Sequence, residues 1–246
     1  MVDDLENLFS ICNSNLQSSE RHISYLKNRG INDNLIRKYQ IGYFPQNINI
    51  LKKYVSKQLL VKLNIVNYSN NSDFSDYFNL IFPIRSEYGE PVGISGRVLM
   101  DDQKRSLLNI SKYKNSSYKK SKILFGLNYS KNSIIKNNNV YIVEGYFDKI
   151  SMDNNQLENS VAICGTAFSS KHFLSLSKYT DCMTFLLDSD DAGVASMERI
   201  CSKYSNKGVK LRFLELDKSY KDIDDFFKEN SKNNFLGIRS IIPSAW

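Results

Sequence analysis

Histidine is almost missing from this 246-residue chain, which has only His22 and His172. Cysteine is sparse as well: Cys12, Cys164, Cys182 and Cys201 stand far apart, with no CxxC pair. A zinc ribbon or finger needs close-spaced soft ligands, so no zinc is expected. The four thiols read as buried or free side chains in a reducing compartment. The longest apolar runs are four or five residues, too short to span a bilayer, and no membrane partner is expected. The start, Met1-Val2-Asp3-Asp4, lacks the basic-then-apolar order of a secretion signal, so a cytoplasmic setting is expected. No GxxxxGKS or GxxxxGKT loop occurs, which excludes a nucleotide-driven motor of that type, and no internal repeat is visible.

What is present is a globular composition, 41% hydrophobic and 24% charged, with a net charge of +7. The charge is unevenly spread. Residues 1–139 carry 20 Lys/Arg against 11 Asp/Glu, whereas residues 140–246 carry 13 against 15. From Gln103 to Val140 there are nine basic residues and no acid. A basic first half suits a polyanionic partner. A lysine-rich genome offers a duller origin, but it would not leave the second half slightly acidic.

Residues 1–66 read as mainly helical, with capping residues at Ser18 and Ser19 and a stop at Gly30. Residues 79–84 and 91–99 read as strands joined by the polar turn Ser86 to Glu90. The Ser/Asn/Lys-rich stretch 101–122 reads as a loop. From Val140 onward the pattern changes. Short apolar runs at 140–143, 161–164, 183–187 and 209–214 alternate with helix-length segments. In residues 192–204, Met197, Ile200, Cys201 and Tyr204 share one helical face. Such alternation predicts a mostly parallel sheet flanked by helices. The expected architecture is therefore α/β in the second half, preceded by a mixed α+β part. Residues 1–139 form a basic subdomain, 140–214 an α/β subdomain and 215–246 a helical tail.

Ligands of open α/β sheets bind beyond the carboxyl ends of the strands. Acids stand there: Glu144-Gly145 and then Asp148 after the first run, Asp188-Ser189-Asp190-Asp191 after the third, and Asp222, Asp224 and Asp225 after the fourth. Each taken alone could be a turn residue or a helix cap. Gathered on one rim, such carboxylates would repel one another, and a divalent cation removes that cost. An all-oxygen donor set favours Mg²⁺ or Mn²⁺. The chemistry that follows is metal-assisted phosphoryl transfer, which needs little other acid–base machinery.

At this point the residues resemble a known family. Val143-Glu144-Gly145-Tyr146-Phe147-Asp148, followed by Leu187-Asp188-Ser189-Asp190-Asp191-Ala192-Gly193, is similar to the Toprim domain of DnaG-type primases. In the same order as in the primase core come Ile41 to Pro45, Phe82 to Arg85, Gly93 to Leu99, Lys112-Tyr113 with Asn115-Ser116, and Leu124 to Leu127. Gly165-Thr166 and Lys221 to Phe226 complete the set. The resemblance implies RNA-primer synthesis from NTPs on single-stranded DNA, with two or more Mg²⁺ or Mn²⁺ ions. It implies Glu144, Asp188 and Asp190 as the catalytic metal ligands, supported by Asp148 and by Asp222 or Asp224. Arg97, Lys112, Lys120 and Lys122, with Gly145, Gly165 and Thr166, would contact DNA or nucleotide.

The chain departs from the family pattern where Tyr77 and Asn79 stand in place of arginines. With no zinc-binding or helicase-binding domain in view, the segment is read as either a polymerase core alone or, preferably, a compact phage-like primase of a bacterial cell that takes template recognition from a helicase or another replisome partner. The rivals are a Toprim nuclease and a non-catalytic DNA-binding subunit. The first would not need Gly96-Arg97-Val98-Leu99 or Leu124-Phe125-Gly126. The second would gain nothing from the clustered acids.

Overall fold

The computed structural model describes residues 2–165, 167–187 and 191–241. The chain divides into two units, Met1–Ser86 with Glu90–Tyr118, and Glu87–Gly89 with Lys119–Trp246.

The first unit is α+β. Its helices are α1 (Val2–Asn15), α2 (Glu20–Asn28), α3 (Asp33–Tyr39), α4 (Lys57–Lys62), α5 (Asp73–Asp76) and α6 (Asp102–Leu107). Its sheet runs β1 (Gly42–Tyr43), β2 (Leu80–Arg85), β3 (Pro91–Arg97), β4 (Tyr113–Asn115), antiparallel throughout. Leu5, Leu8, Phe9 and Cys12 lie on one face of α1 and pack with Phe44, Phe74, Ile81 and Ile94 into the core. Gly96 is a glycine because the backbone closes on it. A β-carbon there would stand 2.1 Å from the Phe78 carbonyl oxygen.

The stretch expected to be a loop holds α6 and β4. Asp101 caps α6 by accepting the Lys104 N–H at 2.7 Å. The strand β4 exists through its pairing with β3, a partner that local composition does not reveal.

The second unit is α/β. After α7 (Leu127–Asn137) come β5 (Val140–Val143), α8 (Tyr146–Asn154), β6 (Ser160–Ala162), α9 (Ser170–Leu176), β7 (Cys182–Phe185), α10 (Asp191–Tyr204) and β8 (Lys210–Leu214). The helices α11 (Ile223–Glu229) and α12 (Lys232–Leu236) precede β9 (Ser240–Ile241). The sheet order is β6-β5-β7-β8-β9, with the first four strands parallel and β9 antiparallel to β8. Val140, Ile142, Met183, Phe185 and Phe213 face Ile200 and Tyr204 of α10 in its core.

Two boundaries differ from the sequence reading. The division falls at Tyr118/Lys119 instead of residue 139. Phe125 and Ala162 exchange backbone hydrogen bonds at 2.9 and 3.0 Å, and Ser130 Oγ donates to the Ser160 carbonyl at 2.8 Å, so the basic segment is stitched to β6. The segment 215–246 is not only helical, since its β9 extends the sheet.

Each unit buries one of the two histidines. His22 accepts from or donates to Ser19 Oγ through Nδ1 at 2.6 Å, and its Nε2 pairs with Asn79 Oδ1 at 2.8 Å. Burial lowers its pKa below the usual 6.5, with the Asn79 bond opposing and Arg21 adding to the shift. Burial likewise lowers that of His172 below 6.5, against the bonds to the Lys120 and Ile123 carbonyls. The unfolded chain therefore takes up protons more readily than the folded one as the pH drops below 6.5. Stability is expected to be full above that pH and to fall progressively below it. Thermal unfolding followed from pH 8 to pH 5 checks this; a flat midpoint across the range would contradict it.

Candidate active site

The strand order creates a crevice. The chain runs from β5 outward to β6, then returns to β7 on the other side of β5. The connections leaving β5 and β7 run in opposite directions, to β6 and to β8, so their carboxyl ends form a switch point, where open α/β sheets bind ligands.

Glu144 is the first residue past β5. Its carbonyl accepts the Cys164 N–H at 2.8 Å, while Val143 accepts Ile163 at 3.1 Å and Ile142 accepts Leu186 at 2.9 Å. The end of β5 is thus clamped from both neighbours, which holds the Glu144 Cα in register. Gly145 caps α8, and its N–H donates to Asp148 Oδ2 at 2.7 Å. A β-carbon at Gly145 would press to 2.8 Å from that oxygen. Asp148 is buried at the first turn of α8, where its charge also complements the helix N-terminus. Asp148 thus closes the first turn of α8 onto the Gly145 N–H.

Asp222 caps α11 and accepts the Asp225 N–H at 2.8 Å. Asp224 is buried behind it. Asp225 is exposed to Lys228, whose ammonium at 2.8 Å holds its pKa below the usual range despite partial desolvation. The helices α8 and α11 pack together, and one pocket is lined by Asp148, Asp222, Lys221, Tyr220 and the pair Leu186–Leu187 past β7. The structure thus brings Asp148 and Asp222 together, immediately beside the residue that precedes Asp188. Asp188, Asp190 and Thr166 themselves lie outside the described residues. Among the described residues no three His, Cys, Asp or Glu side chains converge as a complete metal site. Asp148 and Asp222, which line that pocket, carry carboxylates, a donor type that fits a hard divalent cation.

Gly165 follows β6 with φ 75°, after Cys164 with φ 50°. Among the described residues nothing lies within 4 Å of where a Gly165 β-carbon would stand. Burial pushes the Cys164 thiol well above its usual pKa, against a hydrogen bond from Tyr146; Asp148 adds to the rise and Lys120 opposes it. Lys120 and Lys122 form a 3-10 turn in this same unit, with Lys120 half-buried and Lys122 exposed.

Arg97 and Lys112 belong to the first unit. Lys112 is exposed. Arg97, at the end of β3, is 9% exposed. Its guanidinium lies 5.6 Å from the Tyr25 ring centre and 5.2 Å from that of Tyr113, and Nη1 donates to the Tyr113 hydroxyl at 2.6 Å. Arg97 is thus a nearly buried cation seated against two tyrosine rings, which fix its guanidinium. Arg85 of the neighbouring motif is likewise engaged, donating to both Glu6 oxygens at 2.5 and 2.8 Å. Lys221, noted in the sequence only as part of the late acidic motif, lines this pocket, as does Tyr220, which the sequence reading missed.

Comparison with known proteins returns one answer. Residues 11–131 match the model of the DNA primase catalytic core, N-terminal domain, and residues 141–227 match a Toprim-like model. The DNA primase of Lactococcus lactis subsp. lactis (strain IL1403) is 33% identical over 211 residues, covering 83% of this chain and 33% of that protein. That of Aquifex aeolicus (strain VF5) is 28% identical over 246 residues, covering 98% and 48%. The chain spans between a third and a half of these relatives. Among solved structures, the zinc-binding and RNA polymerase domains of Aquifex aeolicus primase superpose with a TM-score of 0.84 at 27% identity, covering 97% of this chain and 60% of that one. A DnaG primase catalytic domain bound to ssDNA gives 0.80 at 25% identity, covering 95% and 78%.

Proposed function

The chain belongs to the DnaG-type primase family, and from that premise we propose that it synthesises short RNA primers from NTPs on a single-stranded DNA template. The observation that carries the reading is the pairing of the two family matches, in order, with carboxylates at the switch point of the parallel sheet.

Glu144, Asp188 and Asp190, with Asp148 and Asp222 or Asp224, would hold Mg²⁺ or Mn²⁺. Such ions, when bound, acidify the attacking 3′ hydroxyl and offset the charge of the triphosphate. The chain's own residues do the rest. Gly145 and Gly165 leave the backbone open for phosphate approach. Lys120 and Lys122 hold phosphate oxygens. The 3′ oxygen attacks the α-phosphorus of the incoming nucleotide, a new P–O bond forms, and pyrophosphate leaves. Lys112 and the basic run from Gln103 track the template backbone, so binding weakens as salt rises. Arg97, seated against Tyr25 and Tyr113, contacts template or nucleotide phosphate beside that run.

Among the described residues no helix is long and apolar enough to cross a membrane. We place the chain's work in the cytoplasm of a bacterial cell, with a replicative helicase or another replisome protein as partner.

The test is primer synthesis on single-stranded DNA with labelled NTPs and Mg²⁺ or Mn²⁺. Short RNA products that vanish on chelation are expected. Degradation of the template would point to a Toprim nuclease instead. DNA binding that ignores chelation, with no synthesis, would leave a binding subunit.

A further inference from the structure

His172 is completely buried, yet it does not serve the core alone. Its Nε2 donates to the Lys120 carbonyl at 3.1 Å, and its Nδ1 accepts the Ser169 N–H at 3.3 Å. Its own backbone N–H donates to Ser169 Oγ at 3.1 Å. That hydroxyl in turn donates to the Ser121 carbonyl at 2.7 Å. The start of α9 and the 3-10 turn Lys120–Lys122 are thereby closed into one hydrogen-bonded ring.

The turn needs such a strut. Lys119, Lys120 and Lys122 crowd within four positions, in a stretch with no acid from Gln103 to Val140. Like charges at that spacing repel and would favour an opened loop. Where the turn is held also matters. Three residues after the turn, Phe125 exchanges backbone hydrogen bonds with Ala162, the last residue of β6. The turn is therefore tied to the carboxyl end of β6, next to Cys164, whose N–H bonds the Glu144 carbonyl. A buried histidine is most often just a satisfied core side chain. Here the single N–H of the imidazole goes to the backbone of a cationic turn.

We propose that His172 is a positioning residue: through the Lys120 carbonyl it fixes the Lys120 turn where the lysine can hold a nucleotide phosphate. The inference rests on the reading of Lys120 as a phosphate ligand. It adds that the grip is set by α9.

The experiment titrates a fluorescent ATP analogue into the full chain with Mg²⁺, for the wild type, Lys120→Ala, His172→Phe, His172→Gln and Lys120→Ala/His172→Phe. Lys120→Ala and His172→Phe should each raise Kd by roughly five- to tenfold, as loss of one oriented contact does. His172→Gln can still donate to the Lys120 carbonyl and should stay within about twofold of the wild type. In the Lys120→Ala background, His172→Phe should add less than about twofold, because the residue it acts through is gone. Equal losses from His172→Phe in both backgrounds, or none in either, overturn the inference. An unchanged Kd for Lys120→Ala, or no nucleotide binding by the wild type, overturns the Lys120 reading and the inference with it. If His172→Phe does not fold, Ser169→Ala removes the tie to Ser121 at lower cost. The same non-additivity with Lys120→Ala is then required, and additive losses overturn the inference.

Discussion

Glu144→Gln should lower primer synthesis on single-stranded DNA by about 10²–10³-fold or more, while leaving the fold intact. The side chain follows β5 directly and is half-buried at the crevice, so an isosteric amide costs little packing. Its backbone position is set by bonds that the substitution leaves alone: the Glu144 carbonyl to Cys164 and the two ladder bonds beside it. What the amide removes is a negative charge at the carboxyl end of β5, four residues before Asp148. If these carboxylates hold a cation, its affinity drops and higher metal concentration recovers part of the rate. The measurement is the rate of dinucleotide formation against Mg²⁺ or Mn²⁺ concentration, with the melting temperature as control. Wild-type rates at limiting metal would remove Glu144 from the ligand set.

Asp153→Ala should destabilise the second unit by about 3–5 kcal/mol, the largest stability effect expected from a single charge removal here. Lys149 and Asp153 lie one turn apart on α8, paired, with side-chain exposures of 0% and 1%. Lys149 Nζ also donates to Ser160 Oγ at 3.1 Å, and Ser160 Oγ donates to the Leu157 carbonyl at 2.8 Å. Its aliphatic stem packs under Gly126, where a β-carbon would stand 2.5 Å from Lys149 Cε. Without Asp153 the buried ammonium loses its anionic partner, so the lysine must stay charged and under-compensated or lose its proton. Either route carries a desolvation cost that the pair avoids. Replacing both residues, as in Lys149→Met/Asp153→Leu, removes the charge along with its partner and should restore most of the loss. Urea unfolding of the three variants decides it: a loss below about 1 kcal/mol for Asp153→Ala would mean that water reaches the pair.

Much of the active-site layout was legible because strand ends are local features. The run Val140–Val143 is a strand in the structure as read, and Glu144 and Asp148 fall where that reading puts them, past its end. The helix read at 192–204 is α10, Asp191–Tyr204. The lysine-rich stretch was misread because its composition is that of a loop. Its helix rests on a cap at Asp101 and its strand on β3, and only the second of these lies far away in sequence. The seat of Arg97 against two tyrosine rings was not legible, because Tyr25 stands far from it in sequence.

The sequence by itself determined the fold class, the family and the acids that follow the parallel strands. Each rests on hydrophobic period and on residue types adjacent along the chain. Tertiary structure alone decided that β5 lies between β6 and β7, opening the crevice where Asp148 and Asp222 meet. It also decided that residues 119–139 join the α/β unit, and that His172 carries the Lys120 turn. These depend on which strands pair and on contacts that bridge up to about 75 residues, as between Asp148 and Asp222. Burial and long-range hydrogen bonding choose among such pairings, and neither has a local signature.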